Sequence, residues 1–317
     1  MKPITPETRM ADLIEANYGL LHVLARIGME GAFGERTIRE ECDKHLVDPA
    51  TLILICNVYS RAGYTPSEAL LRDGRVEDIL RYLHRSHDYY INDALVNIAG
   101  SIEELISPCT PTQKQVIRTF FTDYKLELEK HFAYEEDEVI PYVQNLLLGK
   151  RTSTFSIDRF EENHSNIDEK LSDLKSLILK SLPPVCDNSL RVRLLIFLYA
   201  LQGDLACHTR IEDEVLVPMV RLMENPAARF LGGNGKAEDA QDGDGESEVL
   251  SEREKEILVS VAQGLLNKEI ADRHNISINT VITHRKNITR KTGIKTVAGL
   301  TVYAILNNLV DIDNIPH

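Results

Sequence analysis

The chain is poor in the features that mark several large protein classes. Its five cysteines, Cys42, Cys56, Cys109, Cys186 and Cys207, are odd in number, scattered and never spaced C-x-x-C. That pattern fits a reducing compartment and argues against a cysteine-based zinc site. At 317 residues the chain can bury a sizeable core without a disulfide staple. No apolar run exceeds the eight residues from Leu194 to Leu201, far short of the ~20 a spanning helix needs. The opening Met1-Lys2-Pro3-Ile4-Thr5-Pro6 has no apolar stretch of the secretory kind. No Gly-rich phosphate loop is present, and no Ser/His/Asp or Cys/His arrangement supports a nucleophilic site. Sustained period-two alternation is missing as well, so the chain reads as all-α. These absences predict a cytoplasmic protein with no membrane partner.

What is there begins with charge. Lys and Arg number 36 and Asp and Glu 49, a net charge of −13, which excludes a basic nucleic-acid coat protein but not a local basic element. The segment from Gly232 to Glu248 holds five Gly, six acidic residues and one Lys, with no aromatic or β-branched residue. It cannot bury enough apolar surface to offset ordering entropy and is expected to be a flexible linker. After it, nine Lys/Arg face seven Asp/Glu; before Val249 the balance is 27 against 42. Only the C-terminal piece therefore suits a polyanion. With a weaker break between Gly63 and Gly74, the expected organisation is a small helical segment at 1–70, a helical bundle at 75–228, the linker at 232–248 and a C-terminal domain at 249–317.

Between Val76 and Asn225 four helical stretches carry a 3-4 apolar repeat, as a four-helix up-down bundle requires. Where Leu or Ile would normally fill the seam, this chain has His84 and His87, then His131 and Glu135, then His164, then His208 and Glu212. Burying an ionised carboxylate without a partner is costly, and a lone seam histidine is usually a satisfied core residue. Four helices each carrying such a group point instead to a cation. His-x-x-x-Glu stacks both side chains on one helix face. It occurs twice, each time with Pro ten residues after the His, at Pro141 and Pro218. The second and fourth helices thus form a quasi-repeat, and iron, manganese and zinc all suit the donors.

This segment resembles the hemerythrin-like, HHE cation-binding bundle, especially the di-iron type that repairs iron–sulfur centres. The resemblance implies two non-haem irons per chain with an oxo or hydroxo bridge, zinc or manganese remaining open. It implies the ligands His84, His131, Glu135, His164, His208 and Glu212, with both Glu bridging. His87 falls one turn from His84, as a hydrogen-bond partner of the ligands or a seventh ligand, the former being favoured. The acids Glu136, Asp137, Glu138, Asp213 and Glu214 read mostly as a solvated face. The repair family has adjacent cysteines after its first helix; here Gly28-Met29-Glu30-Gly31-Ala32-Phe33-Gly34 has none. Thiol-dependent repair is therefore not expected, and the N-terminal segment reads as packing or partner contact.

Beyond the linker, Ser251 and Ser277 are expected N-caps, and a helix from about Ile278 to Thr292 carries Arg285, Lys286, Arg290 and Lys291 with no acid. Ile270, Ile276, Val281 and Ile288 suit a helix-turn-helix core beside a cationic groove-facing surface. The motifs Leu250-Ser251-x-Arg253-Glu254, Asn267-Lys268-Glu269-Ile270-Ala271 and Ser277-x-x-Thr280-Val281 resemble the LuxR/GerE-type DNA-binding domain of four helices. That resemblance implies backbone contacts from Lys268, Thr280 and Arg290, base-edge contacts from Val281, Thr283 and Lys286, and a homodimer through the C-terminal helix. Ile282 departs from the family's usual Lys. The reading is a double-stranded DNA-binding transcription regulator whose di-iron bundle senses O2, NO, redox or iron state, rather than an enzyme. The alternative is a di-iron protein of iron–sulfur repair or nitrosative defence with an attached DNA reader. An acidic body docking on the basic third helix would provide autoinhibition.

Overall fold

The computed structural model describes residues 3–29, 31–150, 155–157, 160, 167–225 and 250–310. The expected linker at 232–248 and the expected ligand His164 lie outside them. Among the described residues the architecture is all-α, with one isolated bridge between Arg9 and Thr37 in place of any strand.

The N-terminal segment contains α1 (Met10–Ala16), α2 (Leu20–Ile27), α3 (Ile38–His45), α4 (Pro49–Ser60) and α5 (Glu68–Asp73). Local chemistry sets their ends. Gly28 closes α2 in the left-handed region at φ 91°, which a Cβ would disfavour. Thr37 and Glu40 form a capping box at the start of α3. At α4 the Asp48 carboxylate accepts from the Thr51 N–H, and Pro49 occupies the first turn. The interior of α4, from Thr51 to Val58, is buried throughout, so this helix is the centre around which the segment packs.

Helical rods follow. The first runs through α6 (Val76–Tyr89), a π-helical turn (Tyr90–Ala94) and α7 (Leu95–Leu105). The second is α8 (Pro111–Tyr134), a π turn (Glu135–Val139) and α9 (Ile140–Leu147). In the third, α10 covers Ile167–Lys180. The fourth is α11 (Asn188–Ile211), a π turn (Glu212–Leu216) and α12 (Val217–Glu224). A π turn is rare and clusters at functional sites. In two rods it ends just before a proline: the Ile140 N–H bonds back to Glu135 and the Val217 N–H to Glu212. Pro141 and Pro218 cannot donate, and each would clash with the carbonyl four residues back in an α ladder. The widened turn relieves both problems. The first rod has its π turn without any proline.

The C-terminal module consists of α13 (Glu252–Ala262), α14 (Asn267–His274), α15 (Ile278–Thr292) and α16 (Val297–Leu306). Ser251 and Glu254 cap α13 reciprocally, Ser277 caps α15, and Gly293 closes α15 at φ 73°. Ile257, Leu258, Ile270, Val281, Ile288 and Leu300 form its apolar interior.

The described residues divide into two compact units. One takes those within Met1–Ala94, Lys130–Ser165 and Gly203–Asn234; the other takes those within Leu95–Glu129, Asn166–Gln202 and Gly235–His317. In the second unit α10 packs on α16. The Asp173 carboxylate accepts from the backbone N–H groups of Lys295 (2.8 Å) and Thr296 (2.9 Å) and from the Thr296 hydroxyl, so it caps the start of α16 from outside the module. The Lys180 ammonium donates to the Thr292 carbonyl (2.8 Å), and the Ser176 hydroxyl to that of Gly293 (3.2 Å). This contact takes the end of α15 and the start of α16, rather than the basic face expected for autoinhibition.

Candidate metal centre and nucleic-acid interface

Four buried side chains converge in the first unit. Single donor atoms of His87, Glu135, His208 and Glu212 all lie within 4.8 Å of one another. They come from three rods: His87 three residues before the first π turn, Glu135 opening the second, and Glu212 opening the third with His208 one helical turn before it. His87 Nε2 is 2.9 Å from Glu135 Oε2 and 3.1 Å from His208 Nε2. His208 Nε2 is also 3.1 Å from Glu212 Oε1. His131 reaches Glu135 Oε1 from below at 2.9 Å through its Nε2.

Electrostatics divides the group. Burial would push the Glu135 carboxyl up, but hydrogen bonds from His131 and His87 outweigh it and hold the group well below the usual carboxylate range. Glu212, fully buried and facing the Glu135 charge, is pushed well above that range. Burial and the charge on His87 hold His208 well below the usual imidazole value. His87 itself is raised: burial opposes its charge, but Glu135 and Glu136 favour it more. Protons therefore satisfy the cluster in part. One N–H at His87 Nε2 cannot serve both Glu135 and His208, and His208 Nδ1 is buried without a hydrogen-bond partner among the described residues. Two imidazoles and two carboxylates in a dry pocket are a donor set that a divalent cation of the iron, manganese or zinc kind satisfies fully.

The surrounding shell is ordered. Glu136 Oε1 takes the His87 Nδ1 at 2.7 Å, and its Oε2 takes the His84 Nδ1 at 2.9 Å. A carboxylate on the far nitrogen fixes an imidazole's tautomer and direction, as metal-ligating histidines require. Phe132 stacks on His87 with ring centroids 4.4 Å apart, and Tyr90 meets His208 edge-on at 5.5 Å. Behind Tyr90 lies a buried ion pair between Arg26 and Asp204; Tyr59 also donates to Asp204, and Arg26 Nη1 is 3.2 Å from the Tyr90 hydroxyl. The N-terminal segment, whose role the sequence left open, thus supplies Arg26 and Tyr59 to the wall of the pocket.

The expected ligands are placed as follows. Glu135, His208 and Glu212 come together, with His131 against Glu135. His84 does not join them: its side chain is 65% exposed and turns to Glu136. His87 occupies the cluster instead, and Glu136, read as solvated face, bridges the two histidines. The sequence signal available for Glu136 was its place beside Glu135 in a helix whose seam already carried a donor, but α-helical spacing turns it away from the seam.

In the C-terminal module Lys268, Thr280, Thr283, Lys286 and Arg290 are exposed on α14 and α15. Val281 is corrected: it is fully buried, seven residues from Ile288 on the core face of α15, so it packs and cannot reach a base edge. Arg285 donates to Asn267 Oδ1 (2.8 Å), joining the two helices of the turn. Lys291 pairs with Glu254 at 2.8 Å and ties the end of α15 to α13. His274 sits between Ser260 and Arg253, with Nε2 2.8 Å from the Ser260 hydroxyl.

Rods converging on buried His and Glu donors, followed by a helix-turn-helix with a cationic outer face, make up a helical bundle with a candidate metal centre and a C-terminal helix-turn-helix module. Comparison with known proteins gives the same result. Residues 77–220 match the hemerythrin HHE cation binding domain, and residues 248–304 match the bacterial regulatory proteins of the luxR family. The transcriptional regulatory protein MctR of Rhizobium johnstonii is 45% identical over 64 residues, 20% of this chain and 30% of its own. The response regulator protein VraR of Staphylococcus aureus is 43% identical over 99 residues, 31% of this chain and 39% of its own. The chain thus spans about a third of the length of these curated relatives. No solved structure matches it. Among the described residues no helix is long and apolar enough to cross a membrane.

Proposed function

We propose that this protein is a cytoplasmic transcription regulator whose hemerythrin-like bundle holds non-haem iron and whose metal state governs DNA binding. The observation that carries the reading is the buried group of His87, Glu135, His208 and Glu212, present in one chain with a LuxR-type reader. In this reading those four residues hold iron, His131 and His164 extend the site to a second ion, and Glu136 with His84 orients His87. When bound, iron supplies a redox couple and a coordination position through which O2 or NO is registered. The protein's own contribution is to fix the imidazoles, keep the pocket dry with Phe132 and Tyr90, and hold Glu135 ionised. In the reader, Lys268, Thr280 and Arg290 anchor the DNA backbone while Thr283 and Lys286 meet base edges.

Coupling requires two conformations that the signal binds unequally. The contact of α10 with α16 supports a route. Asp173 holds the start of the helix through which LuxR-type readers pair, so its release would free α16 for a second copy of the chain and for paired half-sites.

The test is metal content of protein purified without oxygen, with DNA affinity measured on the same samples against sites selected from a random pool. About two irons per wild-type chain are expected, lost in a His131→Ala/His208→Ala variant, together with a DNA affinity that differs between loaded and metal-free protein. Absence of iron, or a single zinc that survives the double substitution, would overturn the iron reading. Equal DNA affinity in both states would overturn the sensor.

A further inference from the structure

Two of the scattered cysteines meet. Cys109 lies in the turn between α7 and α8, and Cys186 in the turn between α10 and α11, 77 positions away, yet their sulfurs are 3.4 Å apart. Both turns belong to the second compact unit. Each cysteine is the buried residue of an otherwise exposed stretch: Ser107, Pro108 and Thr110 are exposed around Cys109, and Pro184, Val185 and Asp187 around Cys186. The pair therefore sits one layer below solvent, beside the buried Ile106 and Leu182 of the same two turns.

We propose that Cys109 and Cys186 are a reversible dithiol–disulfide site, oxidised by hydroperoxides and independent of the metal centre. A disulfide needs its sulfurs at about 2.05 Å, so closure asks for a movement of only about 1.3 Å, within reach of side-chain rotation and a small shift of either turn. Chain separation does not oppose it, because folding has already brought the two turns together. The step balances as follows. One thiol, deprotonated, attacks the distal oxygen of a hydroperoxide; its S–O bond forms as the O–O bond breaks, and the alcohol or water leaves with a proton. The second sulfur then attacks the resulting sulfenic sulfur; the S–S bond forms, the S–O bond breaks, and water leaves with the remaining proton. The two sulfurs together lose two electrons and the O–O bond gains them. A small thiol reverses the reaction by exchange.

The environment sets the rate. Burial, together with the hydrogen bond to Cys186, pushes the Cys109 thiol up to about 12, while Lys114 and Arg191 pull the other way. The resting pair is accordingly slow to react and needs its turn to open before a hydroperoxide reaches it. This suits a response to sustained oxidant rather than a turnover catalyst. Closure would tie the start of the rod carrying His131 and Glu135 to the turn that joins α10 to the rod carrying His208 and Glu212.

The experiment uses the full chain stripped of metal by chelation, so that iron–peroxide chemistry plays no part, with hydrogen peroxide as the probe. After oxidation, free thiols are alkylated in denaturant and the peptides are weighed. The expected product is a cross-linked pair of peptides carrying Cys109 and Cys186, lighter by two hydrogens and separated by dithiothreitol. Cys109→Ser and Cys186→Ser each abolish it, and the melting midpoint rises on oxidation in wild type only. Cys207, partly exposed, reports that the oxidant has acted. Cys207 oxidised while Cys109 and Cys186 both remain alkylatable would overturn the proposal, as would Cys109 driven to sulfinic acid with no cross-link.

Discussion

The second and fourth rods repeat one motif, His-x-x-x-Glu followed by acids and a proline, and both break into a π turn at the Glu. Their surroundings differ at each matched position. Glu135 receives two histidines and is held ionised; Glu212 faces Glu135 and is pushed toward its protonated form. Four residues before the histidine, Asp204 forms an ion pair with Arg26 in which both side chains are about 5% exposed. The matched Glu127 pairs with Lys170 at 2.5 Å, with side chains 34% and 24% exposed. The repeat thus specifies helix and donors, while the partners that pack against each copy decide charge state and energetic weight.

The largest effect should come from breaking that inequality at the ion pairs. Removing one partner of a buried pair leaves an uncompensated charge and costs about 3–5 kcal/mol. Arg26→Ala should lose about that much in chemical unfolding, whereas Lys170→Ala should lose less than about 1 kcal/mol, since a partly solvated pair is screened. Equal losses would mean that the N-terminal segment does not seal the pocket.

Next is the metal. His208→Ala removes a donor that is 1% exposed, and competitive chelation should show affinity falling more than about 100-fold. His131, 13% exposed at the edge of the group, should matter less: His131→Ala is expected to keep one tightly held ion. Complete loss in both variants would make the two rods equivalent after all. A smaller effect is expected at Glu136→Gln, which keeps an acceptor but loses the charge on His87 Nδ1; affinity should drop about 10- to 100-fold. His84→Ala should fall below that range, because His84 acts only through Glu136. A greater loss at His84 than at His87→Ala would restore His84 as the ligand.

Much of this was legible in the sequence, for definable reasons. Helical period and the His-x-x-x-Glu spacing reveal which residues share a helix face, so all four clustered donors were placed on the seam, while the resemblance to a known bundle supplied the ligand set and named three of them. The choice between His84 and His87 was not legible, since both lie on one broad stripe and helix rotation decides which turns inward. Val281 was misplaced at the reading surface for a similar reason, its face being fixed by packing against Ile288. The Arg26–Asp204 pair, 178 positions apart, leaves no periodic trace. Nor does the Asp173 cap on α16, which depends on how α10 meets a helix cap 123 positions later.

The smallest effect concerns the prolines. If Pro141 and Pro218 force the π turns, replacing them should let the ladder relax to α geometry and rotate Glu135 and Glu212 away from the histidines. The first rod argues otherwise, since its π turn from Tyr90 to Ala94 forms with no proline after it. There the widened turn follows directly on a helix whose last turn holds His87 in the cluster, so convergence of the donors suffices to hold it. The prolines are then tolerated by the π turn rather than its cause. An interior proline in a regular ladder costs about 3 kcal/mol, but here the offending hydrogen bond is already displaced. Pro141→Ala and Pro218→Ala should each change stability by less than about 1 kcal/mol. Metal affinity should stay within about threefold of wild type, a range that corresponds to less than 0.7 kcal/mol. A tenfold loss in either variant, with helicity unchanged, would show that the proline sets the register of its rod and that the first rod holds its π turn by a different means.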